Sequence, residues 1–242
     1  MRLFRITFPA TVRSRARAPS YGGGMRPIQA LIAAAGFILA VFAAAFPALA
    51  QDRPVRLVVL GDSLSSGLGL PVAQAFPARL ALALKAKGVA VDIADAGVSG
   101  DTASGGLGRL DWSVPDGTQA VIVELGANDA LRGIDPKVTR AALEKIVSRL
   151  RARNIEVLVA GMQAPRNLGS DYAGSFDGIY ADIAQKHGAL LYPFFLDGIV
   201  GDARLNQRDG IHPNAAGVEI IVERILPKVE ELVSRVRAKS AS

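Results

Sequence analysis

Ser63, Asp209 and His212 are the residues of this chain whose types and spacing could carry out acyl transfer. A serine hydroxyl is a poor nucleophile until a neighbouring base takes its proton. The sequence holds two histidines, His187 and His212, so candidates for that base are few. His212 follows Asp209 in the run Asp209-Gly210-Ile211-His212-Pro213-Asn214. A carboxylate three residues away can hold one ring nitrogen and fix the tautomer. Pro213 biases His212 away from helical backbone, which keeps it on a loop. The charge that develops on an attacked carbonyl oxygen needs donors already in place. The backbone N–H groups of Ser63 and Gly97 and the side-chain amide of Asn128 are natural donors. Gly97 has no Cβ to block close approach.

Those residues have to be positioned by the elements around them. Val55 to Leu60 reads as a buried strand and is followed by Gly61-Asp62-Ser63-Leu64-Ser65. Val89 to Ala94 reads as a second strand, followed by the polar, glycine-bearing stretch Asp95 to Thr102. Gln119 to Leu125 is a third, ending in Gly126-Ala127-Asn128-Asp129. Ile155 to Ala160 and Ala189 to Tyr192 give a fourth and a fifth. Helices are expected over Ala75 to Lys87, from the cap Asp135-Pro136, over Tyr172 to His187 with a stop at Gly188, and from Pro213-Asn214 onward. Strands alternating with helices call for right-handed crossovers and a parallel sheet covered on both faces. Ligands of such sheets bind beyond the carboxyl ends of the strands. The four polar segments should therefore meet at one edge.

In that order, the segments GDSLS, the glycine of DAGVSGD, GAND and DGIHPN resemble the four sequence blocks of the GDSL/SGNH hydrolases. The resemblance runs from about Val55 to the last helix. VIVELGANDALRGIDP, MQAP and LYPFFLDGI look like the arylesterase and thioesterase I/lysophospholipase branch. It implies a three-layer flavodoxin-like fold with Ser63 as nucleophile, His212 as general base and Asp209 as its orienting carboxylate. Ser63, Gly97 and Asn128 become the oxyanion donors, and the loop Asp129 to Ile134 lies over the acyl site. Ala127 stands where close relatives often carry glycine, at a position the family pattern leaves free. The implied activity is hydrolysis of acyl or aryl esters, thioesters or lysophospholipids through an acyl-enzyme, without metal or cofactor. A carbohydrate O-deacetylase using the same residues is the alternative enzyme. A non-catalytic carrier on the same fold would be expected to lack a catalytic residue.

The remaining polar residues have structural readings. Asp62 caps the turn beneath Ser63, Asp129 holds its own loop, and Asp101 and Thr102 brace the glycine loop. His187, at a predicted helix end, complements the helix dipole. No Gly-x-Ser-x-Gly, Gly-x-Gly-x-x-Gly or Walker-type loop occurs, and two distant histidines with no cysteine argue against a zinc site.

Residues 1–50 read as a leader. Met25-Arg26, an apolar run from Ile28 to Phe46 and Ala48-Leu49-Ala50 have the layout of a signal peptide. Residues 1–24 are then an extension or a misplaced start, and an uncleaved anchor is the rival reading. The whole chain has 28 basic and 22 acidic residues, but six arginines and no acid fall within the first fifty. That leaves 22 of each in residues 51–242, so the overall charge gives no argument for a nucleic-acid partner. The expected product is one exported domain, periplasmic or secreted, without stable membrane insertion after cleavage. Its partner is a small acyl ester or lipid substrate.

Overall fold

The computed structural model describes residues 53–240. The leader at residues 1–50, and residues 51, 52, 241 and 242, lie outside the described residues. Five strands form one parallel sheet in the order β2-β1-β3-β4-β5. They are β1 (Val55–Gly61), β2 (Val91–Gly97), β3 (Ala120–Glu124), β4 (Glu156–Ala160) and β5 (Leu190–Tyr192). β1 is buried at every residue but Arg56, and β3 and β4 are buried throughout. Their near-continuous apolar runs fit strands with both faces covered. The half-exposed β2 and three-residue β5 are the sheet's edges.

Helix α1 (Ser63–Ser66) follows β1, and α2 (Phe76–Ala86) returns the chain to β2. Two short helices, α3 (Ala103–Gly108) and α4 (Leu110–Ser113), lead to β3. After β3 come α5 (Ala127–Leu131) and α6 (Pro136–Ala152). Helices α7 (Ser170–Asp177) and α8 (Ile179–His187) precede β5, and α9 (Ala215–Ser240) closes the domain. α9 packs on α2 and the sheet, while α6 packs on α3, α8 and β4. This is the three-layer α/β arrangement with five parallel strands expected from the sequence.

The reasons for the helices are local. Asp135 accepts from Lys137 N at 2.9 Å, with Pro136 in the first turn. The buried face of α6 carries Ala142, Leu143, Ile146, Val147 and Leu150. The helix expected over Tyr172 to His187 is two helices, divided at Gly178. It ends at Gly188, whose φ of 61° is the left-handed conformation favoured after a helix.

One strand boundary differs in a way that matters. The second strand was expected over Val89 to Ala94 but runs from Val91 to Gly97. Val89 N instead bonds back to Leu84 O, closing α2. Gly97 consequently pairs with Gly61 inside the sheet instead of lying in the loop beyond it.

Arg109 locks this edge of the sheet. The residue is 7% exposed, and its side chain donates to Gly61 O at 2.8 Å and to Ala96 O at 2.6 Å, tying the ends of β1 and β2 together. It also donates to Asp101 at 2.6 Å and to Ser113 at 3.0 Å. A lysine cannot present this planar fork of donors. Arg109→Lys is expected to lower unfolding free energy by about 2–3 kcal/mol, because at least two buried acceptors lose their partner. Urea denaturation of residues 51–242 checks it; an unchanged midpoint would refute the clamp.

Candidate active site

The chain leaves β1 toward β2 on one side of the sheet, and β3 pairs with β1 on the other. At this switch point the loops after β1 and β3 diverge and open a crevice. Ser63 is the first residue of α1, at the carboxyl end of β1. As the first helical residue it has no intrahelical acceptor for its N–H. The turn into α1 is tight. A Cβ at Gly61 would come within 2.1 Å of Ser65 Oγ and 2.8 Å of Glu124 Oε2.

His212 arrives from the far end of the chain and meets Ser63 across the crevice. Its Nε2 lies 2.9 Å from Ser63 Oγ, and its Nδ1 lies 2.7 Å from Asp209 Oδ2. The other carboxylate oxygen, Asp209 Oδ1, accepts from the Ile211 and His212 N–H groups at 2.9 and 3.0 Å. These backbone bonds, with the His212 ring bond, hold the Asp209 carboxyl at about 2. It therefore stays anionic through the neutral range and presents a fixed acceptor to the imidazole.

The loop carrying His212 is held by residues that the sequence pattern did not mark. Gln207 Nε2 donates to Leu68 O at 2.7 Å and to Pro213 O at 3.0 Å, joining the histidine loop to the serine loop. Buried Asn206 donates to Ile199 O and Asp202 O. Side-chain amides flanking a motif give no periodic signal, so only three-dimensional packing reveals them.

The proposed oxyanion donors fare differently. Asn128, on α5 just past β3, faces the crevice, and its Nδ2 donates to Asp62 Oδ2 at 2.9 Å. Gly97 does not face it: its N–H is donated to Asp95 Oδ1 at 2.8 Å. A Cβ there would press on Ser66 Cβ at 2.8 Å and Asp62 O at 2.9 Å. Glycine at 97 thus lets β2 pack against α1, a structural need that corrects the donor role expected of it. Gly100, three residues on, lines the crevice with Ser63, Asn128 and His212. Its φ is 83°, a left-handed turn that favours glycine, and Arg132 Nη2 donates to its carbonyl at 2.8 Å. The signal was present in the sequence, since Ser99-Gly100-Asp101 lies in the same loop. The three-residue error in the end of β2 hid it.

His187 lies elsewhere, at the end of α8, with Nε2 3.9 Å from Glu144. Asp129 is fully buried and does more than hold its own loop. It accepts from Ala103 N at 2.8 Å and Thr139 Oγ1 at 2.9 Å, joining α5 to α3 and α6. Thr102 caps α3 through Gly105 N.

Two carboxyls lie beneath the serine. Asp62 and Glu124 are both 0% exposed, and the Asp62 N–H points to Glu124 Oε2 at 3.4 Å. Burial pushes Asp62 up to about 6, against the opposing effect of its bonds to Leu64 N and Asn128. Burial also pushes Glu124 well above the ordinary range, aided by the nearby Asp62 charge.

Beside the crevice opens an apolar cavity of about 400 Å³. Leu64, Ala127, Leu131 and Ile211 line both spaces, and Met162, Ala164, Phe194, Leu196 and Val200 extend the cavity away from Ser63.

The described sequence and structure have close counterparts among known proteins. The pattern described as the GDSL-like Lipase/Acylhydrolase family matches residues 59–220. Esterase TesA of Pseudomonas aeruginosa is 37% identical over 184 residues, covering 76% of this chain and 92% of that protein. Thioesterase 1/protease 1/lysophospholipase L1 of Escherichia coli K12 is 35% identical over 190 residues, covering 78% and 88%. A crystal structure of TesA superposes with a TM-score of 0.70 at 36% identity, covering 73% of this chain and 99% of that one.

The buried Glu124 carboxyl yields a signed stability test. Its folded-state pKa is raised, so the folded chain keeps a proton that the unfolded chain releases above its ordinary range. Stability from this proton is present at low pH and declines as pH rises. Glu124→Gln should therefore gain on the wild type from pH 5 to 7, by up to about 1.4 kcal/mol per pH unit while Glu124 stays protonated. Urea unfolding at pH 5, 6 and 7 measures the difference. A difference constant with pH would contradict the assignment.

Proposed function

Starting from a chain that belongs to the GDSL-like lipase/acylhydrolase family, and hence from an ester hydrolase, we propose that Ser63, His212 and Asp209 form its catalytic triad. The observation that carries this reading is the 2.9 Å contact between Ser63 Oγ and His212 Nε2, with Asp209 2.7 Å from the other ring nitrogen. His212 takes the Ser63 proton as the hydroxyl attacks the ester carbonyl, and then gives it to the leaving alcohol or thiol. Water, activated by the same imidazole, cleaves the acyl-enzyme and releases the acid. Asp209 holds the tautomer that leaves Nε2 free to accept.

The oxyanion donors on this reading are the Ser63 N–H, Asn128 Nδ2 and the Gly100 N–H. Gly100 replaces the Gly97 of the sequence reading, because the Gly97 N–H is already donated to Asp95. The substrates proposed are acyl or aryl esters, with thioesters and lysophospholipids as further candidates. The apolar cavity beside Ser63 would take the acyl chain, which favours such substrates over acetylated sugars. Export is proposed on the leader pattern of residues 25–50, with residues 51–242 as the mature domain.

A p-nitrophenyl ester series from acetate to palmitate tests the function with residues 51–242. Ser63→Ala should lose at least about 10³-fold in kcat on every active ester; undiminished hydrolysis would end the triad reading. Ala164→Leu, which adds bulk to the cavity wall, should move the chain-length optimum to shorter esters while sparing acetate. An unmoved optimum would place the acyl chain elsewhere, and activity confined to acetylated glycans would favour the deacetylase alternative.

A further inference from the structure

Asp62 has two separate tasks, and its geometry divides them between its two oxygens. Oδ1 accepts from Leu64 N at 2.9 Å, which caps the four-residue helix that Ser63 begins. Oδ2 accepts from Asn128 Nδ2 at 2.9 Å, across from β1 to the helix after β3. Asp62 is fully buried, and its contact with Asn128 is partly so.

The second contact decides which way the Asn128 amide faces. The two ends of an asparagine side chain have nearly the same shape but opposite polarity. A carboxylate only accepts, so it selects the orientation that brings Nδ2 toward it. The flipped amide would set two acceptor oxygens against each other at the same place. With Nδ2 pinned, one of its hydrogens is consumed by Asp62 and the second remains for the crevice. In the flipped state a carbonyl oxygen would take the place of Nδ2 at the site where negative charge develops during attack.

We propose that Asp62 is a positioning residue for ester hydrolysis, which fixes the Asn128 amide with its Nδ2 hydrogens presented and thereby keeps one oxyanion donor in place. The proposal rests on the reading of Asn128 as an oxyanion donor. It gives the aspartate beside the nucleophile a part in catalysis, distinct from capping, without contact to substrate. It also explains why a carboxyl is kept in a buried place beside Ser63, where serine or threonine would cap the helix as well.

Asp62→Ser separates the tasks. Serine can still cap Leu64 N, but its hydroxyl is too short to hold Asn128. The expected result is a kcat at least about tenfold lower, KM within about twofold, and a Tm within a few degrees of wild type. Because Asp62 acts through Asn128, adding Asp62→Ser to Asn128→Ala should cost nothing more than Asn128→Ala alone. A kcat within twofold of wild type, or losses that multiply in the double variant, would overturn the proposal. Should Asp62→Ser not fold, Asp62→Asn serves in the same cycle. An asparagine cannot satisfy both N–H donors in the present arrangement, so it should slow the wild type and leave Asn128→Ala unaffected. Equal losses in both backgrounds would again overturn the proposal. If Asn128→Ala itself retains full activity, the oxyanion reading fails and this proposal with it. A slow Asn128→Ala beside a normal Asp62→Ser sinks this proposal alone.

Discussion

The hydrogen bond between Ser63 and His212 joins side chains 149 residues apart, and little of the domain is irrelevant to it. One partner begins a helix at the end of β1, and the other sits on a loop just before the final helix. They meet because a parallel sheet sends all its strand ends to one edge, and because β1 and β3 are neighbours at the point where the crossovers diverge. A shift of either loop by an ångström would cost the contact. The structure accordingly ties the two loops to each other through Gln207 and Leu68, and ties the ends of β1 and β2 through Arg109.

Holding this edge requires polar groups where water is absent. Arg109, Asp62, Glu124 and Asp129 are all buried. Such groups are costly unless partnered. Arg109 and Asp129 meet that need with several hydrogen bonds each, to backbone and side chains. Glu124 does not: its Oε1 is buried without a hydrogen-bond partner among the described residues, and neutralising the carboxyl reduces the cost. Asp62 lies between these cases, with both oxygens used and burial still opposing its charge.

Much of this was legible in the sequence. The apolar runs of β1, β3 and β4 gave the central strands within a residue or two, because strands buried on both faces carry an unbroken signal. Asp135-Pro136 and Gly188 marked helix ends through local chemistry that needs no tertiary context. Ser63, Asp209, His212 and Asn128 were legible because each lies in a short motif at a strand or helix end. The edge strand β2 was misplaced, since Val91-Asp92-Ile93-Ala94-Asp95-Ala96-Gly97 mixes exposed acids with apolar residues and has no sharp end. That one misplacement turned a sheet glycine into a loop glycine and hid Gly100. The contacts of Asp62 with Asn128, of Gln207 with Leu68 and of Arg109 with Gly61 were not legible at all, because each joins residues 48 or more positions apart.

On the proposed mechanism, Ser63 is the residue that becomes acylated, with His212 as its base. The most direct measurement is reaction of residues 51–242 with a fluorophosphonate, followed by intact mass and peptide mapping. The expected result is one phosphonyl group per chain, located on Ser63, with loss of esterase activity in step with labelling and strongly slowed labelling of His212→Ala. Label on another residue, or full ester hydrolysis by a chain labelled at Ser63, would contradict it.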